Sequence, residues 1–316
     1  MKFDNESMRE VFGKTLVELG EKHDALIVMD ADLNTSTRTV LFKKRFPDRF
    51  VQCGIAEGNM FGVAGGLSYA GFVPFPVTFA AFASRKALDV IFMNICCPKL
   101  NVKIPGCYAG VTAGEGGPSH NSAEDIAIMR SLPHMRVIDP GDNNELRSAM
   151  NEMMAYDGPV YFRVPKVIPP LLMEEMQAFR WAKGIVIREG TDVSLIGTGI
   201  MTSICVKAAE FLEAEGIHAE VIHMPSIKPI DEDLIVKTAK KTGRIVTVEN
   251  GSVYGGFGSA VAEVLVEKYP VKLDAVGIKD STFGSAPIRD LLIHHKLTPK
   301  DVAERAKNIL HAKNVQ

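Results

Sequence analysis

Short apolar runs alternate with segments of helical periodicity along residues 1–165. Residues 6–22 have apolar positions at helical spacing, and the run ALIVM at Ala25–Met29 predicts a buried strand. A helix is predicted to begin near Ala56. Further apolar runs predict strands at Phe50–Gly54, Val73–Val77, Val102–Ile104, Arg136–Ile138 and Val160–Arg163. Strands that alternate with helices in this way are typical of an α/β domain with a mostly parallel sheet.

The pattern changes after Lys166. The segment KVIPPLLMEEMQAFRWAKG contains a proline pair and no strand pattern, so we assign a linker to residues 171–190. A second alternation follows, with strands at Val193–Ile196, His218–His223 and Arg244–Val248 and helices at Thr202–Ala214, Asp231–Lys241 and Gly258–Lys268. The sequence therefore predicts two consecutive three-layer α/β/α domains with mostly parallel sheets, at residues 1–170 and 191–316.

Composition and charge exclude several classes of protein. The 36 Lys and Arg and 38 Asp and Glu residues give a net charge of −2 with no strongly basic tract, which argues against nucleic-acid binding. The uncharged stretch Met60–Ala83 contains glycines and two prolines, so we expect a helix, a turn and a strand rather than a membrane span. The polar N-terminal segment and the five cysteines, most of them in apolar runs, favour a cytoplasmic protein with reduced thiols.

A carboxylate stands at a predicted strand-to-helix junction. Glu57 lies within the otherwise apolar segment Gly54–Met60. A buried carboxylate is costly unless it is paired or protonated, so this position is a candidate for proton sharing with a ligand. The alternative is that Glu57 interacts only with the N-terminal dipole of the following helix.

Two further segments carry candidate chemistry. Thr78–Phe82 places two aromatic residues three positions apart after a strand, where they either pack in the core or form a wall for a flat heteroaromatic ring. Gly114–Asn121 is a glycine-rich loop with a single histidine, His120. An imidazole in a loop is a candidate for moving protons at neutral pH.

In this order and at these separations, the motifs GIAEGNM, PVTFAAFA and GEGGPSHNS resemble the C-terminal half of the transketolase family. VIDPGDNNE at Val137–Glu145 and IKPID at Ile227–Asp231 are similar to further family segments. The resemblance runs from about Glu6 to beyond Ala260. It implies a thiamine-diphosphate pyrimidine-binding domain at residues 1–170 and a transketolase C-terminal domain at 191–316, as in the small subunit of a split transketolase.

The resemblance implies that thiamine diphosphate is the cofactor, which itself carries the carbanion chemistry. Glu57 matches the family glutamate that hydrogen-bonds N1′ of the aminopyrimidine. Phe79 and Phe82 match the aromatic wall against that ring. Asp32 and Ile55 match positions near the cofactor. Glu57 is therefore expected to be catalytic as well as cofactor-binding.

The resemblance also implies a sugar site. His120 matches the catalytic histidine that contacts the oxygens of the donor sugar. Arginine suits bidentate binding of phosphate, and the family holds the phosphate of the sugar with Arg and Ser side chains. The substrate-binding positions matched in this chain are Arg9, Ser36, Tyr108, Ser119, His120 and Arg163.

Several positions depart from the family pattern. Gly116 stands where many transketolases have Asp, and Tyr108 stands where many have His. Gly58 replaces a more common Gln or His, and Arg85 replaces an aromatic residue. We therefore expect ketol transfer to be retained with a sugar other than the usual pentose phosphate. A branched or sulfonated sugar, with or without a phosphate, would fit.

One family motif is missing. The family binds the diphosphate through a divalent metal with a GDG…N motif in an N-terminal domain, and GDNN at Gly141–Asn144 is too compact to be that motif. The resemblance therefore implies that an N-terminal transketolase subunit binds the diphosphate and Mg²⁺, while this chain supplies no metal ligand. The expected assembly is an α2β2 heterotetramer in which this chain also self-associates.

Three alternatives remain open. The chain could belong to another thiamine-diphosphate enzyme, either one like 1-deoxyxylulose-5-phosphate synthase or the β subunit of a 2-oxoacid dehydrogenase. It could also be a non-catalytic regulatory subunit. The loop with Ser119 and His120 favours a transketolase over the 2-oxoacid group, and the presence of Glu57 and His120 favours catalysis.

Overall fold

The computed structural model describes residue 2 and residues 4–172, 178–282 and 284–311. The first half contains strands β1 (Leu26–Asp30), β2 (Phe50–Gln52), β3 (Val73–Phe79), β4 (Lys103–Cys107), β5 (Arg136–Ile138) and β6 (Val160–Val164). Its helices are α1 (Met8–Lys22), α2 (Asn34–Thr37), α3 (Val40–Arg45), α4 (Glu57–Tyr69), α5 (Ala80–Arg85), α6 (Leu88–Ile91), α7 (Asp125–Ser131) and α8 (Asn143–Met154). Short 3₁₀ segments lie at Pro47–Arg49 and Gly114–Ser119, and a π-helical segment lies at Phe92–Cys96.

The second half contains strands β7 (Ile185–Arg188), β8 (Val193–Gly197), β9 (Ala219–His223), β10 (Ser226–Lys228), β11 (Arg244–Ser252) and β12 (Lys272–Ile278). Its helices are α9 (Met201–Glu213), α10 (Glu232–Thr242), α11 (Phe257–Lys268), α12 (Ile288–His294) and α13 (Pro299–His311). None of the helices among the described residues is both long and apolar enough to cross a membrane.

The strands form two sheets. The first has the order β10-β5-β6-β4-β3-β1-β2 and the second has the order β12-β11-β8-β9-β7. Neighbouring strands are parallel except for the pairs β10–β5 and β7–β9. Helices flank both sheets, which confirms the predicted α/β class with mostly parallel sheets.

Helix α1 shows how the local pattern builds the first core. Met8, Phe12, Leu16 and Leu19 recur at helical spacing and are completely buried. Their apolar face packs with Phe162 of β6, whose ring centroid is 6.0 Å from that of Phe12. Burying a side chain of this size contributes about 1.5–3 kcal/mol, so this face holds α1 on the sheet.

The structure differs from the sequence prediction at three strands. Strand β7 lies inside the segment assigned as linker and forms the edge of the second sheet, so that assignment is wrong for residues 185–188. Residues 173–177 of the same segment lie outside the described residues. The sequence does not predict strand β12, because most of its residues are only half-buried and give a weak apolar pattern. It does not predict β10, because three residues are too few to show an apolar pattern.

Strand β10 joins the two halves of the chain. It belongs to the second half but pairs with β5 in the first sheet. The pairing is antiparallel, with Ser226 opposite Ile138. The two halves therefore share backbone hydrogen bonds as well as side-chain contacts.

A buried ion-pair network also joins the halves. Arg163 in β6 is 1% exposed, and its Nε donates to Asp125 Oδ2 at 2.8 Å. Its Nη1 donates to the backbone oxygen of Asn250 in β11 at 3.0 Å and lies 3.3 Å from Asp139 Oδ2. Tyr161 donates its hydroxyl to Asp125 Oδ2 at 2.6 Å. Burial raises the pKa of Asp139 to about 6, although Arg163 acts in the opposite direction.

A further buried carboxylate lies next to this network. Glu249 in β11 accepts the backbone N–H groups of Phe257 and Gly258, both at 2.8 Å, at the start of α11. Burial raises the pKa of Glu249 to about 7, and the two N–H donors limit the rise. The carboxyl group thus binds a proton more readily in the folded chain than in the unfolded one.

Replacing Arg163 should strongly destabilise the fold. Arg163→Met leaves Asp125 buried without its counter-charge, and we expect the free energy of unfolding to fall by about 3–5 kcal/mol. Urea denaturation followed by circular dichroism measures the loss. The matched control is Arg188→Met, since the pair of Arg188 with Glu213 is exposed and should contribute less than about 1 kcal/mol. Equal losses in the two variants would contradict the importance of the buried network.

Glu249 should make stability fall as the pH rises. Because its pKa is raised in the folded chain, the folded state binds more protons than the unfolded state between about pH 4 and pH 7, and stability decreases across that window. Glu249→Gln cannot titrate, so the melting temperature should decline less steeply between pH 5 and 8 than in the wild type. The exposed Glu267→Gln serves as the control and should leave the wild-type slope. A wild-type slope in Glu249→Gln would show that the raised pKa of Glu249 is not the cause of the decline in stability.

Candidate functional site

The candidate site lies at the carboxyl-terminal edge of the first sheet. Strands β1, β3 and β4 are neighbours and parallel, so their carboxyl ends meet at one edge. Ligands of open α/β sheets bind at such an edge. The turn from β3 into α5, the residues after β4 and the Gly114–Ser119 segment contribute side chains there, and α1 contributes Arg9.

An aromatic cluster forms the floor of the site. Phe79 ends β3 and Phe82 lies in α5; their rings stack with centroids 5.5 Å apart and planes inclined by 26°. The Tyr108 ring lies 4.3 Å from that of Phe79. The His120 ring lies 5.7 Å from Phe79 and 5.3 Å from Phe82. Phe79 is buried and Phe82 half-buried, so Phe79 packs in the core while Phe82 reaches the surface.

Tyr108 adopts an unusual backbone conformation. Its φ of 60° is in the left-handed region, which is costly for a residue with a bulky side chain. Its N–H donates to the Val164 oxygen at 2.9 Å, and its hydroxyl accepts a hydrogen bond from Arg9 Nη1 at 2.7 Å. Such strain at the end of a strand is typical of a functional position.

Arg9 connects two other predicted substrate residues, Tyr108 and Ser36. Besides Tyr108, its Nη1 donates to the backbone oxygen of Ser36 at 3.3 Å. Its buried Nε has no hydrogen-bond partner among the described residues. Lys166 also lies beside Tyr108, with Nζ 5.3 Å from the ring centroid. Two cations beside one phenol favour binding of an anion.

Lys166 was missed by the sequence analysis. It is exposed two residues after the end of β6, at the same sheet edge as Tyr108. Its position just after a buried strand is the sequence signal for it, whereas the family resemblance points to Arg163 within that strand. The alternation of side chains cannot by itself tell which basic residue near a strand end reaches the edge.

The assignment of Arg163 as a phosphate-binding residue is corrected by the structure. All three guanidinium nitrogens donate to protein oxygens, on Asp125, Asp139 and Asn250. The side chain is 1% exposed. A buried guanidinium engaged in this way is part of the interface between the two halves and is not available to a substrate.

Glu57 is the first residue of α4 and is 5% exposed. Its Oε1 lies 3.3 Å from Lys86 Nζ, and the Lys86 ammonium lies 4.2 Å above the centroid of Phe82. The position also places the carboxylate at the positive end of the helix dipole. Glu57 and the aromatic cluster therefore share one contact, Lys86, which the sequence analysis did not identify.

The histidine loop is held in place by its neighbours. His120 Nδ1 lies 2.8 Å from Ser119 Oγ. Arg85 donates to the backbone oxygens of Pro118 at 2.9 Å and Asn121 at 2.6 Å. The amide of Asn121 closes the loop by donating to the oxygens of Gly114 and Gly117, each at 3.0 Å. Arg85 thus takes a structural position beside the loop.

The remaining predicted residues lie at the same edge but are exposed. Asp32 follows β1 with φ 64°, and its N–H donates to Gln52 Oε1 at 2.9 Å. Ile55 precedes α4 and is 77% exposed. Across the described ranges, no group of three or more His, Cys, Asp or Glu side chains could hold a metal ion.

Comparison with known proteins gives the same assignment over nearly the whole chain. The family model described as transketolase, pyrimidine binding domain matches residues 4–169, and the model described as transketolase, C-terminal domain matches residues 182–302. The chain belongs to the transketolase family.

Several relatives of similar length are described as transketolase subunits or as a split-gene transketolase. The chain is 39% identical to the 6-deoxy-6-sulfo-D-fructose transketolase subunit of Clostridium sp. strain MSTE9, over 99% of this chain and 98% of that one. It is 33% identical to an apulose-4-phosphate transketolase subunit of Phocaeicola vulgatus, over 94% of this chain and 96% of that one. A solved structure described as a split-gene transketolase, inactive β4 tetramer, is 45% identical with a TM-score of 0.90, and the match covers 96% of this chain and 98% of that chain. Over nearly its whole length the chain is therefore similar to these transketolase subunits.

Proposed function

We propose that this chain is the subunit of a thiamine-diphosphate transketolase that supplies the pyrimidine-binding half of the active site. With a partner subunit it transfers a two-carbon ketol unit between sugars. The observation that carries the proposal is the convergence of a buried carboxylate, a half-exposed aromatic face and a loop histidine at one sheet edge. Family membership supplies the class of reaction.

The side chains at the edge fit the pyrimidine end of the cofactor. Phe82 offers a flat apolar face that reaches the surface, and Glu57 lies close enough for one ammonium to contact both. An aminopyrimidine needs a flat apolar face on which to stack and a hydrogen-bond partner for its N1′. A carboxyl group beside an aromatic ring supplies both. Asp32 and Ile55, exposed at the ends of β1 and β2, would border the same ring.

When bound, thiamine diphosphate supplies the nucleophilic carbon that takes up the ketol fragment. Glu57 would hold a proton shared with the pyrimidine. His120 would hold or move a proton at a sugar hydroxyl, and its contact with the Ser119 hydroxyl fixes the orientation of the ring. Phe79 supports Phe82 from the core side.

We propose that Arg9, Tyr108 and Lys166 bind the anionic end of the sugar, with Ser36 beside them. Among the described residues, the Nε of Arg9 has no hydrogen-bond partner, and neither Arg9 nor the exposed Lys166 forms a salt bridge with a carboxylate, so both charges remain for a ligand. Arginine binds phosphate and sulfonate oxygens through parallel N–H donors. Lys166 replaces Arg163 in this proposal.

Gly116 supports a difference in sugar preference. A Cβ at this position would lie 2.9 Å from the His120 Cβ, so an aspartate there would have to displace the histidine. The loop is therefore shaped around a glycine. Relatives whose names specify a sulfonated sugar or apulose 4-phosphate support a ketose with a terminal sulfonate or a branched phosphate sugar as the substrate class.

We infer that the partner is an N-terminal transketolase subunit that binds the diphosphate and Mg²⁺. Apolar side chains are exposed at and beside α4: Ile55, just before the helix, is 77% exposed, and Met93 and Phe92, in the π-helical segment that packs against α4, are 55% and 37% exposed. Helix α4 also exposes Val63 at 39%. Exposed apolar groups clustered beside a polar site are typical of a protein interface. The solved relative described as an inactive β4 tetramer supports self-association without turnover. We propose an α2β2 complex with the partner as the active form.

The chain alone should be inactive. Without the partner, the diphosphate has no metal-binding half, so we expect weak thiamine diphosphate binding and no ketol transfer from sulfonated, branched or ordinary pentose-phosphate ketoses. Adding an N-terminal transketolase subunit and Mg²⁺ should restore transfer and reveal the preferred donor. Calorimetry and product analysis measure the two effects. Robust turnover by the purified chain would contradict the proposed partner.

Glu57 should be required for turnover in the two-chain complex. Glu57→Gln keeps the shape but cannot exchange a proton with the pyrimidine, so we expect the turnover number to fall by about 10²–10⁴-fold. Glu115→Gln, an exposed carboxylate in the histidine loop, is the control and should retain wild-type turnover. Full activity in Glu57→Gln would contradict the proposed thiamine-diphosphate mechanism.

A further inference from the structure

Lys86 contacts both groups that the pyrimidine ring would use. Its Nζ lies 3.3 Å from Glu57 Oε1 and 4.2 Å from the centroid of the Phe82 ring. The side chain is 50% exposed, whereas Glu57 is 5% exposed. A single ammonium group therefore covers the stacking face and pairs with the buried carboxylate.

The contacts of Lys86 satisfy physical needs of the site before a ligand arrives. A buried carboxylate without a partner is unfavourable, and an ammonium over an aromatic face gains a cation–π interaction. A pyrimidine ring that stacks on Phe82 and hydrogen-bonds to Glu57 would take the space that the ammonium occupies. The two arrangements exclude each other.

The backbone of Lys86 is held by the helix, whereas its side chain is flexible. Its N–H donates to the Phe82 oxygen at 3.0 Å at the end of α5. The four-carbon stem has several rotatable bonds and ends in a compact charge, so the head group can leave the site without movement of the helix. Its neighbour Arg85 is held by the oxygens of Pro118 and Asn121 and cannot replace it.

We propose that Lys86 is an internal competitor of the cofactor ring. Its ammonium occupies the position between Glu57 and Phe82 in the empty site and swings into solvent when the pyrimidine binds. Lys86 is thus a positioning residue that stabilises the empty chain and lowers the affinity for thiamine diphosphate. This inference rests on the proposed function, because it takes Glu57 and Phe82 as the pyrimidine-binding pair.

The first test measures cofactor affinity by calorimetry in the two-chain complex with Mg²⁺. Lys86→Met removes the charge and keeps the length of the side chain, so the dissociation constant for thiamine diphosphate should fall by about tenfold. Lys86→Arg restores a cation and should bind within about twofold of the wild type. Lys44→Met, on the exposed face of α3, is the matched control and should leave the affinity unchanged.

The second test separates competition from a merely structural role. Without cofactor, Lys86→Met should have a lower melting temperature than the wild type because Glu57 loses its counter-charge. With saturating thiamine diphosphate this difference should vanish, since the wild-type ammonium is then displaced and neither protein has an ammonium at Glu57. A deficit of the same size in both states, or a cofactor affinity that is unchanged or weaker in Lys86→Met, would overturn the inference.

Glu57→Gln in the same titration distinguishes this inference from the proposed function. Weaker cofactor binding by Glu57→Gln together with unchanged binding by Lys86→Met would overturn the competition and leave the proposed function standing. Wild-type cofactor affinity in Glu57→Gln would overturn both, because the carboxylate would then not be a partner of the pyrimidine.

Discussion

The geometry of the site depends on the hydrogen bonds and ion pairs of the buried Arg163 guanidinium. This guanidinium binds Asp125, the first residue of α7, and α7 follows directly after the loop that carries His120. It also binds the backbone of Asn250 in β11, in the other half of the chain. A charge buried this deeply must be paired, so the start of α7 and the end of β11 can take only one relative position.

The same interface shapes the loop from its other end. The Asn250 side chain accepts a hydrogen bond from the Val111 N–H at 3.1 Å. Gly110 has a φ of 64°, and the Asn250 side-chain amide occupies the space that a Cβ at Gly110 would need. The Ser285 hydroxyl donates to the backbone oxygen of Glu115. The second half of the chain thus holds the segment from Tyr108 to His120 at several points. It contributes no residue to the proposed chemistry, but it determines where the histidine lies.

Three positions that depart from the family pattern are explained by these contacts. Arg85 binds the backbone of the histidine loop, and Gly116 leaves room for the Cβ of His120. Tyr108 gives Arg9 a hydroxyl acceptor at the anionic end of the site. These three positions therefore shape the histidine loop and the position of Arg9 beside it.

The sequence by itself determined the two alternating α/β patterns and the motifs that contain Glu57, Phe82 and His120, because periodicity and short motifs are local properties. It could not show that Arg163 points into the interface while Lys166 lies at the sheet edge, since both are basic residues near the end of one strand. It also could not show that β10 pairs with the first sheet. Nor could it show that Lys86 contacts Glu57, which lies 29 positions away in the chain. These features depend on which elements become neighbours after folding, and only the tertiary structure decides that.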